Sequence, residues 1–142
     1  MIIGVLKEPL PETRVSLLPE HILILKKLNV EVLVETNAGD KAFASNEKYI
    51  EAGGGTVSRE EVLKKADIIL SIHLPAETEI DALQSKIILG FYQPLYHPES
   101  IKKFKEKGVT IFSIDMLPRT TRAQSMDVLS SQANIAGYKA VL

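Results

Sequence analysis

The chain has 142 residues, which is enough for one domain with a substantial core and too few for two domains of ordinary size. Hydrophobic residues make up 45% and charged residues 25%, close to the average of soluble globular proteins, so extensive disorder is disfavoured. Seventeen basic and eighteen acidic residues give a net charge of -1, without the basic excess of a nucleic-acid-binding protein.

The first half of the chain begins with an apolar run at residues 2–6 that predicts a strand. Pro19 opens a predicted helix over residues 19–28, and a second apolar run follows at residues 30–34. Ser45 is expected to cap a short helix that runs through residue 51. We interpret the following Gly53-Gly54-Gly55 as a helix stop and a turn, because these glycines do not join a strand to a helix.

The second half repeats the alternation of helix and strand. Ser58 and Glu61 form a capping box for a helix over residues 58–65, and a helix over residues 98–107 ends at Gly108. Three more apolar runs are predicted strands, at residues 68–72, 87–91 and 109–114. Continuous apolar runs are typical of parallel strands that are buried on both faces. We therefore predict an α/β fold with a doubly wound, mainly parallel sheet, flavodoxin/Rossmann-like but lacking its own glycine fingerprint.

The sequence disfavours a metal site, a membrane-spanning helix and a signal peptide. The chain contains no cysteine, and its histidines (His21, His73 and His97) lie on different predicted elements, so we predict no metal site. No apolar run approaches the roughly 20 residues that a membrane-spanning helix requires. The N-terminus is itself a predicted strand, so we expect no signal peptide.

Two cations follow the first predicted strand, at the edge where a parallel sheet places its ligand crevice. Lys7 and Arg14 are suited to binding a carboxylate or a phosphate. From spacing alone, pairing in solvent with Glu8 and Glu12 is favoured for both cations.

The third and fourth predicted strands of the sheet end at polar residues. His73 and Gln93 are expected to face the same crevice, because the carboxyl ends of parallel strands share one edge. A histidine at this position can shuttle a proton, or it can simply hydrogen-bond at the end of its strand.

The last residues predict a helix that begins near Ser125 and has more than one apolar side. At 100° per residue, one apolar stripe contains Met126, Leu129, Ala133, Ala136 and Ala140. A further apolar side contains Val128, Ile135 and Leu142. We expect this helix to pack between two bodies, one of which is its own domain. Residues 1–124 would then form the domain, and residues 125–142 would begin a long bridging helix.

A cluster of polar residues precedes and opens this helix. Arg119 offers a planar guanidinium for an amide oxygen or an anion, and Asp127 can accept hydrogen bonds from an amide NH2 group. Gln124 and Ser130 add neutral donors and acceptors. Such groups can orient a polar ring substituent, or they can form a solvated helix face with Asp127 near the positive end of the helix dipole.

Several motifs give the whole chain a family resemblance. The segments GVLKE at 4–8, ETRV at 12–15, AGG at 52–54 and ADIIL at 66–70 resemble the N-terminal domain shared by alanine dehydrogenase and the alpha subunit of proton-translocating NAD(P) transhydrogenase. The tail resembles the transhydrogenase loop and bridging helix, with PR at 118–119, RAQSMD at 122–127, LSS at 129–131 and NIAGY at 134–138. The tail therefore favours the transhydrogenase branch.

The resemblance implies roles for four residues. Residues matching Arg119, Asp127 and Ser130 contact the nicotinamide end of NAD(H) in that family, and the residue matching Gln124 reaches toward the component that carries NADP(H). Gln124 and Asp127 are thereby implied at the hydride-transfer site. Alanine dehydrogenases match Arg14 with an arginine, but they carry a lysine in place of His73 and a catalytic histidine in place of Gln93. Both departures argue against amino-acid chemistry.

The resemblance also implies an activity. The chain is expected to be the N-terminal portion of the NAD(H)-binding component of a transhydrogenase, which transfers hydride between NAD(H) and NADP(H), coupled to proton translocation. By itself it is expected to be inactive. The implied partners are a Rossmann domain beyond the bridging helix and the NADP-binding beta component, in the cytoplasm and peripheral to the inner membrane. A second copy of the chain is expected because it could cover the apolar side that contains Val128, Ile135 and Leu142. The alternatives are an amino-acid dehydrogenase fragment, in which His73 shuttles the proton, and a non-catalytic assembly module.

Overall fold

A computed structural model of the chain describes residues 1–118 and 120–141, so Arg119 and Leu142 lie outside the described residues. Six strands form one sheet: β1 (Ile2–Val5), β2 (Glu31–Glu35), β3 (Gly55–Val57), β4 (Ile68–Leu70), β5 (Ile87–Gly90) and β6 (Thr110–Ser113). Every neighbouring pair is parallel, in the order β3-β2-β1-β4-β5-β6. This is the strand order of doubly wound dinucleotide-binding folds, and it confirms the predicted architecture.

The helices cover the two faces of the sheet unequally. They are α1 (Pro19–Lys27), α2 (Asn46–Glu51), α3 (Arg59–Lys65), α4 (Pro98–Glu106) and α5 (Val128–Val141). Helices α1 and α2 pack with β1 and β2 around the buried Ile22, Val32 and Tyr49. On the other face, α3, α4 and the 3₁₀ segment Glu77–Leu83 enclose a second core, which includes Ile69, Ile88 and Phe104. No helix signal in the sequence predicted this 3₁₀ segment.

The predicted helix signals are largely realised. Proline occupies the first turn of both α1 and α4, where its missing N–H costs no helical hydrogen bond. The Oγ atom of Ser58 accepts a hydrogen bond from the N–H of Glu61 at 3.3 Å and so caps α3. The carboxylate of Glu61 binds Lys65 at 2.9 Å. Of the predicted capping box, the serine half is therefore observed.

The prediction of five strands was wrong, because β3 is a sixth. Gly53 does end α2, since its φ of +87° favours glycine, but Gly55 already pairs with Leu33 of β2. With three residues and a glycine at its start, β3 has no apolar periodicity to reveal it. Pairing with β2 creates this strand.

The expectation that all strands are buried on both faces was also wrong. Leu89 and Phe112 are neighbours in register on β5 and β6, and Phe112 is 55% exposed. Right-handed crossovers from β3 through β6 place α3, the 3₁₀ segment Glu77–Leu83 and α4 on one face. The opposite face of β5 and β6 is consequently left uncovered by α1 and α2.

The final helix differs from its prediction in two ways. It begins at Val128 instead of near Ser125, because the Oδ1 atom of Asp127 caps it by accepting hydrogen bonds from the N–H groups of Leu129 at 3.0 Å and Ser130 at 3.2 Å. Residues 129–141 are all exposed, so α5 is not buried against its own domain, although it contacts the 3₁₀ segment Ile114–Met116 and Gln132 accepts a hydrogen bond from Arg14. Within residues 1–118 and 120–141, no helix is both long and apolar enough to cross a membrane.

Candidate functional site

A cavity of about 310 Å³ lies where the order of the strands reverses, between β1 and β4. The connections after these two strands lead to opposite faces of the sheet, and this divergence opens the crevice. Lys7, Arg59 and His73 are among its lining residues. The structure therefore confirms the crevice position predicted for His73. Gln93 is exposed on the turn after β5 and is not one of the lining residues, so its predicted position in the same crevice was wrong.

Glu8 ties the end of β1 to the end of β4. Its carboxylate is buried and accepts hydrogen bonds from the N–H groups of Ile72 at 2.6 Å and His73 at 3.0 Å. The interpretation in which the loop cations pair in solvent with Glu8 is therefore wrong for Glu8. Its partners are backbone groups that only the sheet topology brings within reach, so the sequence carried no signal for this role.

Arg59 forms the polar wall of the cavity. Its guanidinium donates to Glu79 at 2.9 Å, to Glu35 at 2.8 Å and to the carbonyl oxygen of Lys7 at 3.2 Å. The hydrogen bond to Glu79 raises the pKa of Arg59, and the same contact lowers the pKa of Glu79. Because two carboxylates share this one cation, the wall does not offer uncompensated positive charge to an anion. No sequence signal marked Arg59 as a site residue.

Arg14 pairs with Glu12, as one of the two sequence interpretations predicted. The guanidinium donates two hydrogen bonds to this carboxylate, from Nε at 2.9 Å and Nη2 at 2.6 Å. The hydrogen bonds from the Arg14 side chain lower the pKa of Glu12 to about 2. A third nitrogen, Nη1, donates to Oε1 of Gln132 on α5 at 3.3 Å. The loop after β1 is thereby joined to the final helix.

Acidification is expected to weaken the fold through this pair. Because the pKa of Glu12 lies below its ordinary value of 4.5, the pair stabilises the fold above that pH, and its contribution is lost as the pH falls toward 2. The expected loss is about 1 to 2 kcal/mol, less than the full shift implies, because Arg14 is half exposed and solvent screens the pair. Urea denaturation at several pH values measures it.

The matched comparison is Glu12→Gln, whose free energy of unfolding should fall less steeply between pH 4.5 and 2 than that of the wild type. Glu106→Gln, a change at an exposed position on α4, should keep the wild-type slope. Equal slopes for Glu12→Gln and the wild type would contradict the assignment.

Of the predicted tail residues, Asp127 and Ser130 are in side-chain contact at the start of α5, and Gln124 lies in the turn before them. The Oγ atom of Ser130 donates to Oδ2 of Asp127 at 2.6 Å, and the N–H of Asp127 donates to the carbonyl oxygen of Gln124 at 3.3 Å. Gln124, Asp127 and Ser130 are all exposed. Arg119, the fourth predicted residue, lies outside the described residues. Asp127 also caps the helix, which is close to the alternative interpretation that placed it at the positive end of the helix dipole.

Donors for a phosphate are sparse at the crevice, although the strand order is that of a dinucleotide-binding fold. The loop between β1 and α1 contains no glycine, and Pro19 removes one N–H from the first turn of α1. Among the residues that the structure describes, no group of three histidine, aspartate and glutamate side chains is placed to hold a metal ion.

Comparison with known proteins identifies the family. The model of the family described as "Alanine dehydrogenase/PNT, N-terminal domain" matches residues 4–136. The chain belongs to this family. The resemblance stated from the sequence motifs is thereby confirmed.

Relatives in the family include members of both branches. The NAD(P) transhydrogenase subunit alpha of Cereibacter sphaeroides is 41% identical over 133 residues, which cover 92% of this chain and 25% of that protein. Alanine dehydrogenase 1 of Staphylococcus aureus is 30% identical over 144 residues, covering 100% of this chain and 38% of that protein. The crystal structure of a transhydrogenase from Sinorhizobium meliloti has a TM-score of 0.93 and 38% identity, covering 99% of this chain and 43% of that one. The chain thus spans less than half the length of these relatives.

Proposed function

We propose that this chain is the N-terminal portion of the NAD(H)-binding component of an NAD(P) transhydrogenase. The component would transfer hydride between NAD(H) and NADP(H), coupled to proton translocation. Its higher identity to a transhydrogenase alpha subunit, 41% against 30% for an alanine dehydrogenase, supports this choice. The positions of His73 and Gln93 add support, because alanine dehydrogenases are expected to carry a lysine and a histidine there.

The observation that carries the proposal is the contact between the side chains of Asp127 and Ser130 at the start of α5, with Gln124 in the turn just before them. A nicotinamide carboxamide has both donors and acceptors, and this set offers a carboxylate acceptor, a hydroxyl and an amide to hold it. NAD(H), when bound, supplies the hydride. Direct hydride transfer requires no general acid or base on the protein, so the contribution of these residues is to orient the ring.

The remainder of the nucleotide needs other partners. The loop after β1 lacks a glycine cradle, so we propose that a Rossmann domain binds the adenosine and the pyrophosphate. Residues 125–142 would bridge to that domain. The other proposed partners are the beta component that binds NADP(H) and a second copy of this chain. The assembly would lie in the cytoplasm, peripheral to the inner membrane.

A chimeric alpha subunit tests the proposal. In it, this chain replaces the matching segment of the Cereibacter sphaeroides subunit, to which it is 41% identical. With its NADP(H)-binding partner, the chimera should transfer hydride from NADH to an NADP+ analogue whose reduced form absorbs at a distinct wavelength. The native subunit is the control for assembly. An assembled chimera that binds NADH but transfers no hydride would overturn the proposal.

The isolated chain is expected to bind NADH weakly or not at all. Contacts to the nicotinamide end alone must offset the entropy of association, which costs at least about 4 kcal/mol. Calorimetric titration of the chain with NADH measures this, with the chimera as the comparison. Submicromolar affinity of the isolated chain would contradict the expectation, because it would require a phosphate cradle within these residues.

An amino-acid dehydrogenase fragment is the second candidate, because His73 does lie in the cavity. In that case pyruvate should bind near Arg14. The commitment of two Arg14 nitrogens to Glu12 and the exposure of Gln93 on a turn make this candidate the weaker one.

A further inference from the structure

We infer that Arg14 is a positioning residue, whose contact with Gln132 sets the direction of α5 and hence the placement of Asp127 and Ser130. The inference rests on the proposed function, in which these two residues orient the nicotinamide ring. Arg14 would act through the helix, without itself touching the cofactor.

Arg14 is held in place by Glu12, in the loop after β1. Oε1 of Glu12 accepts hydrogen bonds from the N–H groups of Thr13 at 2.9 Å and Arg14 at 3.0 Å, in addition to the guanidinium. The side chain of Glu12 is only 11% exposed, so the pair is fixed in the loop and does not move freely in solvent. Glu8 anchors the start of the same loop to the end of β4. The loop that carries Glu12 and Arg14 is therefore anchored to the sheet at its start and held by its own hydrogen bonds at the Arg14 guanidinium.

Among the described residues, helix α5 has few other contacts that fix its direction, chiefly its approach to the 3₁₀ segment Ile114–Met116. Of its residues, Val128 is half-buried and those at 129–141 are exposed. Among the described residues, the hydrogen bond from Arg14 to Gln132 is the one contact of this kind between a side chain of α5 and a residue before position 127. Gln132 lies five residues after Asp127, more than one helical turn away. A second fixed point at that distance constrains the tilt of the helix about its capped end.

The direction of α5 determines where the polar cluster points. Ser130 donates to Asp127, and Asp127 in turn caps the helix, so the two side chains move with its first turn. Misplacing a reacting group by about 1 Å can cost up to about 100-fold in rate. Arg14 would therefore affect hydride transfer although its guanidinium points at Gln132 and Glu12.

Distances between spin labels test the inference in the chain itself. The chain has no cysteine, so Lys102→Cys on α4 and Lys139→Cys on α5 provide two unique labelling positions at exposed residues. The 14 residues of α5 span about 21 Å, so a tilt of about 15° moves the far end by about 5 Å. Double electron–electron resonance measures a change of this size.

Three variants in this labelled background separate the contact from a general effect on the helix. Gln132→Leu removes the acceptor, and we expect the distance distribution to broaden by about 5 Å. Gln132→Glu keeps an acceptor for Arg14 and should retain the wild-type distribution. Asn134→Leu makes a similar change on nearly the opposite side of α5 and should also leave the distribution unchanged. Circular dichroism checks that each variant folds.

A wild-type distribution in Gln132→Leu would overturn the inference, as would equal broadening in Asn134→Leu. In the chimera, Gln132→Leu should lower the hydride-transfer rate on the order of tenfold with the Kd for NADH unchanged, and Gln132→Glu should restore the rate. Broadened distances with a wild-type rate would also overturn the positioning role. A wild-type chimera that transfers no hydride would overturn the proposed function instead, whatever the distances show.

Discussion

Replacement of Gly90 with alanine is expected to destabilise the fold by about 3 kcal/mol or more. A Cβ atom at this position would lie 1.9 Å from the carbonyl oxygen of Ser71 and 2.6 Å from the ring of Tyr92. Neither neighbour can move away easily. The carbonyl group of Ser71 is part of the backbone directly after β4, and the hydroxyl of Tyr92 is hydrogen-bonded to Oγ of Ser71 at 2.9 Å in the core.

Urea denaturation gives the free energy of unfolding for this variant. Gly137→Ala is the matched control, because a Cβ atom there meets nothing within 4 Å, and alanine favours a helix by about 1 kcal/mol over glycine. The control should therefore be neutral or slightly stabilising. Equal stability of Gly90→Ala and the wild type would show that β4 and β5 can separate at this point without cost.

Replacement of Asp127 in the chimera is expected to lower the hydride-transfer rate on the order of 100-fold while changing the Kd for NADH far less. In the proposed arrangement this carboxylate orients the ring, and the Rossmann domain supplies most of the binding energy. Single-turnover rates and calorimetric affinities measure the two quantities separately. Equal losses in rate and affinity would argue against an orienting role.

The two functions of Asp127 can be separated by the choice of substitution. Asp127→Asn keeps an oxygen that can cap α5, whereas Asp127→Ala removes the cap and is expected to fray the helix at a cost of about 1 kcal/mol. A rate loss in both variants would be due to the lost charge, and a loss confined to alanine would be due to the helix end. Ser131→Ala is the control, since its hydroxyl donates to the carbonyl oxygen of Val128 within the same helix.

The local signals in the sequence predicted most of the elements. Pro19, Ser58 and Pro98 begin helices in the structure close to where they were expected, because each acts on the backbone of its own first turn. The predicted bounds of α5 failed for a related reason. In the structure the carboxylate of Asp127 accepts hydrogen bonds from the N–H groups of Leu129 and Ser130, and this fixes the start of α5. Serine and aspartate are both good caps, so the sequence does not decide between Ser125 and Asp127.

Fewer residues of the candidate site than elements of the fold could be predicted from the sequence. The motif resemblance indicated Gln124, Asp127 and Ser130, and the strand-end position of His73 indicated the crevice. Arg59 and Glu79 gave no such signal, because they are 20 residues apart in the sequence and meet only when α3 and the 3₁₀ segment Glu77–Leu83 pack on the same face. The contact of Arg14 with Gln132 likewise had no signal in the sequence, because these residues are far apart in the chain.

The sequence by itself determined the class of fold, since the alternation of apolar runs with helix signals acts through neighbours a few residues apart. It also determined the family, through short motifs that are local by nature. Only the tertiary structure decided that Gly55 starts a strand, that Glu8 is buried and that Arg14 contacts Gln132 on α5. Each of these depends on partners far away in the sequence, which the order of strands and the hand of the crossovers bring together.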